Sequence, residues 1–388
     1  MIPYGRQDIS EADIDAVVAV LKSDFLTQGP LVPAFEQAVA NYIGVQHAVA
    51  VNSATSALHI ACLALGVKTG DVVWTSPITF VASANCALYC GATIDFVDID
   101  PKTYNMSALN LEKKLSQVKD SGQFPKVVIP VHMGGQPCDM AAIYALSKRY
   151  GFRIIEDASH AIGSKYCGEP VGNCQYSDIT VFSFHPVKII TTCEGGMALT
   201  NDPVFANKMK QLRSHGITRE PSEMTHAPDG PWYYQQICLG YNYRMDDIRA
   251  ALGLSQLSRI DQFIEARQKI AALYNELLAN LSVVTPWQHE AGVSSFHLYI
   301  IRLDLTAFKH GEVFERLRTS GIGVNLHYIP VYRQPHYMHM GFSPSDFPEA
   351  ERYYREAISL PIFPLLTEGQ QREIVGSLAN PIGHQTIF

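Results

Sequence analysis

Ile179-Thr180-Val181-Phe182-Ser183-Phe184-His185-Pro186-Val187-Lys188 holds an apolar run, Ile179 to Phe184, with a lysine just past it. A short continuous run of this kind reads as a strand buried on both faces. Upstream, Arg153-Ile154-Ile155-Glu156-Asp157 is a second such run, and it ends in an acid. A lysine and an aspartate at the ends of successive strands suit pyridoxal phosphate. The lysine amine can form a Schiff base with the aldehyde, and the carboxylate can hold the pyridine nitrogen protonated. Taken alone, the pair is also what a surface lysine and a strand-end carboxylate look like. The rest of the chain supplies the context.

Other strand patterns surround these two. His47–Val51, Val72–Thr75, Thr93–Val97, Val127–Val131 and Gly196–Thr200 alternate with helical patterns at Thr55–Leu65, Phe80–Tyr89, Leu111–Val118 and Met140–Tyr150. Such alternation predicts an α/β fold with a mostly parallel, seven-stranded sheet covered by helices on both faces. In such sheets ligands sit beyond the carboxyl ends of the strands, where Asp157 and Lys188 fall. Before the sheet, Ser10 and Asp13 form a capping box for a helix that presents Ile14, Val17, Val18 and Leu21 on one face. A second helix runs from about Pro33, with Phe35, Val39, Tyr42 and Ile43 inward and Gly44 as its stop. From Met245 a long helical pattern begins. It is followed by a strand at Phe296–Leu303, a helix at Gly311–Arg318, a strand at Val324–His327 and a helix after Thr367. Two domains are expected: 1–250, large and cofactor-binding, and 251–388, a smaller C-terminal α/β domain.

Composition excludes several classes. The 388 residues are 47% hydrophobic and 17% charged, with a net charge of −7. This describes a globular chain with a sizeable core, not a disordered one. No lysine- or arginine-rich block appears, so nucleic-acid and anionic-membrane partners are not expected. No apolar run is long enough to span a bilayer, and Met1-Ile2-Pro3-Tyr4-Gly5-Arg6 is no signal core, so the expected location is cytoplasmic. The eight cysteines lack metal-like or framework spacing and are expected to be reduced thiols. No metal site is expected.

Further parts of a pyridoxal site follow. Asn52-Ser53-Ala54-Thr55-Ser56-Ala57-Leu58 follows a strand and opens a helix, where free N–H groups and the helix dipole favour a phosphate. Thr55 and Ser56 would offer amides and hydroxyls. The same residues also make an ordinary serine N-cap. Phe80, in Pro77-Ile78-Thr79-Phe80, either stacks on the cofactor ring or is a core phenylalanine opening a helix. His160, in Asp157-Ala158-Ser159-His160-Ala161, is placed to reach the ring hydroxyl, or to cap a helix.

These segments together resemble the DegT/DnrJ/EryC1/StrS family of sugar aminotransferases, which have the aspartate-aminotransferase fold (fold type I). The motifs Leu26-Thr27-Gln28-Gly29, Asn52 to Leu58, Glu156-Asp157, Ser183 to Lys188, Glu194-Gly195-Gly196, Arg213-Ser214-His215-Gly216 and Gly240-Tyr241-Asn242-Tyr243-Arg244-Met245 occur in the family's order. The resemblance implies that Lys188 is the Schiff-base lysine and proton shuttle, and that Asp157 pairs with the pyridine nitrogen. It implies that Thr55, Ser56 and Ser183 hold the phosphate. Asn242 is expected to reach the phosphate of a neighbouring subunit's cofactor, making a homodimer with shared sites. His160 stands where many members carry glutamine. Some relatives carry histidine in place of the lysine and act as dehydratases; the lysine here implies transamination.

The segments Ser76 to Asn85, Pro186 to Thr192 and His327-Tyr328-Ile329-Pro330-Val331-Tyr332 resemble the branch that makes the precursor of pseudaminic acid. That likeness implies glutamate as donor and C4 of UDP-2-acetamido-2,6-dideoxy-β-L-arabino-hexos-4-ulose as acceptor. Thr27, Arg213, His215 and His327 would then meet this nucleotide-linked ketosugar. The rival readings are three. A desulfurase of the same fold would need a mobile cysteine, for which Cys193 is the nearby candidate. A nicotinamide dehydrogenase lacks its glycine fingerprint here. A non-catalytic binding protein that keeps the cofactor would not need an intact Lys188–Asp157 pair.

Overall fold

The strands form because their side chains serve two cores at once. In the computed structural model, which describes residues 1–119 and 122–379, the chain makes one seven-stranded sheet. Its strands are β1 (His47–Val51), β2 (Val72–Thr75), β3 (Thr93–Phe96), β4 (Val127–Ile129), β5 (Arg153–Asp157), β6 (Ile179–Ser183) and β7 (Gly196–Thr200). Their order across the sheet is β1-β7-β6-β5-β4-β2-β3. The five strands from β6 to β3 are parallel, while β7 runs antiparallel to both β6 and β1. Val49, Val51, Ile155, Ile179 and Val181 join one core, and Ala48, Ala50, Ile154 and Phe182 join the other. Alternate side chains point to opposite faces. Both faces are covered in the inner strands, which read as largely apolar runs, whereas the edge strand β3 alternates exposed or half-exposed Thr93 and Asp95 with buried Ile94 and Phe96.

A second, three-stranded sheet orders Val283–Val284, Tyr299–Leu303 and Ala357–Leu360. It packs in a third core with Tyr274, Leu317, Ile374 and Leu378, joined by Ile2 from the start of the chain. The expected long helical stretch is two helices, Asp247–Leu257 and Ile260–Leu278. The second spans two cores, with Ile260, Phe263 and Ile264 in one and Ile270, Tyr274 and Leu278 in the other. No helix among the described residues is long and apolar enough to cross a membrane. Residues 380–388, assigned to the C-terminal domain from the sequence, lie outside the described residues.

One expectation is corrected, and one helix face finds no cover in the chain. The capping box at Ser10 and Asp13 is formed, and the apolar face of the helix Glu11–Leu21 is turned away from the chain's own core. Ile14, Val18 and Leu21 are exposed, whereas Asp13 and Val20 are buried. The Asp13 carboxylate accepts from Arg259 Nη2 at 2.6 Å and Gln256 Nε2 at 2.8 Å, and this buried polar anchor sets the orientation. Val324–His327 is not a strand. It contributes one bridge, Asn325 to Ser359, at the outer edge of Ala357–Leu360.

Candidate active site

A cavity of about 690 Å³ opens at the carboxyl ends of β5 and β6. Its lining includes Thr55, Phe80, Asp157, His160, Ser183, Lys188 and His327. Thus seven residues singled out from distant parts of the sequence meet in one space.

One wall is a helix start. Ser53, in extended backbone, caps the helix Ala54–Ala64 by accepting the Ser56 N–H at 3.1 Å. Thr55 faces the cavity. Ser56 does not line it: its hydroxyl is buried and donates to Asn52 Oδ1 at 2.7 Å. Gly196 passes so close that a Cβ there would lie 2.5 Å from Ala54 N. A Cβ on Gly195, which lines the cavity, would meet Thr192 Oγ1 at 2.2 Å. The two glycines of Glu194-Gly195-Gly196 therefore let β7 begin against the helix N-terminus. They leave room there for an anion held by backbone N–H groups.

Asp157 is the last residue of β5 and is 4% exposed. Its Oδ1 accepts from Ser159 N (3.1 Å) and Ser159 Oγ (2.6 Å), and its Oδ2 accepts from Ser83 Oγ (2.6 Å). A carboxylate offers about four lone-pair sites. Three are taken, which leaves capacity for one more donor. Lys188 is half-buried on the same cavity. Burial pulls its ammonium down to about 8, against the opposing pull of Asp157.

The histidines of the cavity stay neutral beside this amine. The Gly134 N–H donates to His160 Nδ1 at 3.2 Å, so Nε2 carries the ring proton and points it at Tyr328 Oη, 3.1 Å away. Burial, then the Lys188 charge, holds His160 and His297 well below the ordinary histidine range and takes His327 to about 3. The rings of His160 and His297 lie 4.4 Å apart. Phe80 is 58% exposed, its ring 6.1 Å from that of Tyr328, so its outer face is open to a flat partner.

Ser83, Ser159, His297 and Tyr328 were not singled out from the sequence. Ser159 had a local signal, since Asp-x-Ser is a turn pattern in which the acid binds the backbone two residues on. Ser83 had none, because its contact with Asp157 spans distant segments.

Of the four residues expected at the substrate, His327 alone lines the cavity. The Arg213 guanidinium is taken up by Glu36 and by the Ala50 carbonyl, 2.7 Å away, and ties its helix to β1. His215 and Thr27 are exposed elsewhere. Asn242 is exposed as well. It pairs with Ser214, so the Arg213-to-Gly216 and Gly240-to-Met245 motifs lie side by side. Cys193 is exposed and does not line the cavity.

The donor set fits pyridoxal phosphate: an amine with lowered basicity, a buried carboxylate with a free acceptor site, and an anion cradle on one cavity. Fold and site together define an aminotransferase of the aspartate-aminotransferase type that uses this cofactor. The chain belongs to the DegT/DnrJ/EryC1/StrS aminotransferase family, whose sequence profile matches residues 7–379. It is 41% identical over 363 residues to a UDP-4-amino-4,6-dideoxy-N-acetyl-β-L-altrosamine transaminase of Campylobacter jejuni, covering 93% of this chain and 92% of that one. It is 37% identical to the spore coat polysaccharide biosynthesis protein SpsC of Bacillus subtilis, covering 96% and 95%. Among solved structures it resembles Helicobacter pylori PseC, an aminotransferase involved in the biosynthesis of pseudaminic acid. The TM-score is 0.89 at 32% identity, covering 97% and 98%.

Proposed function

We propose that this enzyme moves the amino group of glutamate to C4 of UDP-2-acetamido-2,6-dideoxy-β-L-arabino-hexos-4-ulose, in pseudaminic acid biosynthesis. The observation that carries the amino-transfer reading is Lys188 and Asp157 on one cavity at the ends of adjacent parallel strands. The choice of sugar is supported by the Campylobacter jejuni and Helicobacter pylori relatives. Bound pyridoxal phosphate supplies the carbonyl and the electron sink that amino transfer requires. The proposed roles of the chain's residues follow from their places. Thr55, Ser183 and the N–H groups at the helix start hold the phosphate, with Ser56 shaping that turn. Asp157 keeps a proton on the ring nitrogen, Phe80 covers one ring face, and His160 with Tyr328 meets the ring hydroxyl. Lys188 Nζ, freed when the donor enters, takes the proton from the donor's α-carbon and returns it one step later. The reading includes a large domain to about residue 250 and a smaller one after it, joined by Ile260–Leu278.

The test is incubation of the loaded enzyme with glutamate and a panel of nucleotide-linked ketosugars, with the amine located by NMR. Amine at C4 of the UDP sugar is expected. Amine at C3, or turnover confined to dTDP- or GDP-linked sugars, would overturn this substrate and leave amino transfer standing.

The reading also includes a homodimer with shared sites. Asn242 is exposed and outside its own chain's cavity, as a residue serving a partner's phosphate would be. The uncovered Ile14, Val18 and Leu21 face is consistent with a second copy. Mixing inactive Lys188→Ala and Asn242→Ala chains should restore part of the activity, because one site of each heterodimer is whole. Well-exchanged chains that stay inactive would count against sharing.

A further inference from the structure

A turn behind the cavity decides how His160 presents its ring. Met133-Gly134-Gly135-Gln136 follows β4, and the residue before it, His132, donates its N–H to the Asp157 carbonyl at 3.1 Å. The Gly134 N–H reaches His160 Nδ1 at 3.2 Å. The Gly135 backbone runs so close that a Cβ there would lie 3.1 Å from the His160 carbonyl. One side chain holds both limbs of this turn. Asn105 Oδ1 accepts the Met133 N–H at 2.8 Å, and Asn105 Nδ2 donates to the Gln136 carbonyl at 2.9 Å. The Gly134 N–H lies between these two attachments. Asn105 is 2% exposed and lies outside the cavity lining.

The segment that carries Asn105 is built to present it. Asp100-Pro101 opens a turn after β3, where Asp100 Oδ1 accepts the Lys102 and Thr103 N–H groups, each at 2.9 Å. Ile99 and Met106 pair across that turn, and the Asp100 N–H donates to the Asn105 carbonyl at 2.8 Å. This closure fixes the backbone from which the amide projects. A neutral imidazole can carry its proton on either nitrogen, and the partner of one nitrogen sets the state of the other. A hydroxyl beside Nδ1 could donate or accept. A backbone N–H only donates, so Gly134 forces the ring proton onto Nε2.

We propose that Asn105 is a positioning residue for His160: by clamping the Met133–Gln136 turn it holds the Gly134 N–H on Nδ1, and so keeps the ring proton on Nε2, toward Tyr328. Without the clamp the turn loosens, Nδ1 loses its fixed donor, and the proton is free to occupy either nitrogen. The consequence for the cofactor rests on the reading that His160 meets the ring hydroxyl. A donor at that oxygen holds its negative charge. When the donor is lost, the charge instead holds the proton on the neighbouring cofactor–lysine nitrogen more tightly.

The test reads the ring directly, by long-range proton–nitrogen NMR of the full-length, histidine-labelled enzyme, with the cofactor bound and after its removal. His160, assigned by its loss in His160→Phe, should show the proton on Nε2 in both states. Asn105→Ala should give mixed tautomers. Asn105→Asp, which as a buried acid accepts with one oxygen and donates with the other, should restore the single form. In the loaded enzyme, Asn105→Ala should raise the pH midpoint of the visible absorbance change by about one unit, the size of one lost hydrogen bond to a charged group. In a His160→Phe background that shift should vanish, because no ring proton remains to be placed. A proton on Nδ1 in the unmodified enzyme would overturn the proposal. So would an unchanged tautomer in Asn105→Ala, or an equal shift in the His160→Phe background. A changed tautomer with an unmoved midpoint would support the clamp and overturn the contact of His160 with the ring hydroxyl. Where Asn105→Ala does not fold, Asn105→Ser, too short to reach both limbs, carries the same expectations.

Discussion

Lys188→Ala is expected to abolish turnover and to remove the yellow absorbance of the lysine-linked cofactor. Among the described residues that line the cavity, Lys188 is the only lysine, so no other amine there can take its place. Its environment is also tuned. Lowering an ammonium from 10.5 to about 8 raises the share of free amine at neutral pH by roughly two orders of magnitude. Burial drives this, and Asp157 opposes it, so the amine is nucleophilic without being stripped of its counter-charge. The alanine variant removes little packing, since Lys188 is only half-buried. The chain should therefore fold and still bind the phosphate at the Ser53–Thr55 turn. Borohydride reduction of the loaded enzyme followed by peptide mapping checks the assignment. A tag on any other lysine would show it to be wrong.

How much of this could be read beforehand follows from where each feature is encoded. The inner strands were legible because both faces are buried, which writes a local apolar run into each segment, and the edge strand β3 because Ile94 and Phe96 alternate with Thr93 and Asp95. The meeting of Lys188 and Asp157 on one cavity was legible because ligands in such sheets sit beyond the strand ends. Side-chain contacts between remote segments were not. The Ser83–Asp157 hydrogen bond leaves no spacing to detect, and Arg213 gives no sign in sequence that Glu36 and the Ala50 carbonyl take up its guanidinium. The helix Glu11–Leu21 was legible in a different way. Its apolar stripe of Ile14, Val17, Val18 and Leu21 was legible, but not that the buried pairing of Asp13 with Arg259 turns Ile14, Val18 and Leu21 outward. A stripe locates the side that avoids water; it does not say whether the cover is this chain's core or another surface. Val324–His327 failed as a strand: only Asn325 pairs with the unrecognised edge strand Ala357–Leu360.

Asp157→Asn should keep the fold and lose the chemistry. The amide can replace the carboxylate without leaving a buried group unpaired. Ser159 still donates to the retained oxygen. Ser83 Oγ lies 2.8 Å from Thr79 Oγ1 and 3.3 Å from the Phe80 carbonyl, so it can turn its proton to either and accept from the new N–H₂. The negative charge is lost. A neutral amide does not hold a proton on the ring nitrogen, and a neutral ring is a poorer electron sink. By analogy with other pre-organised electrostatic groups, the loss is on the order of 3 kcal/mol, about a hundredfold or more in kcat. It should fall on the chemical step, with the KM for glutamate little changed, because in the proposed arrangement the carboxylate meets the cofactor and not the donor. Single-turnover measurement of the glutamate half-reaction, alongside thermal melting to confirm an intact fold, reads both parts. A stable, loaded variant with near-normal kcat would mean that Asp157 does not control the ring's charge, and the site would need another group for that task.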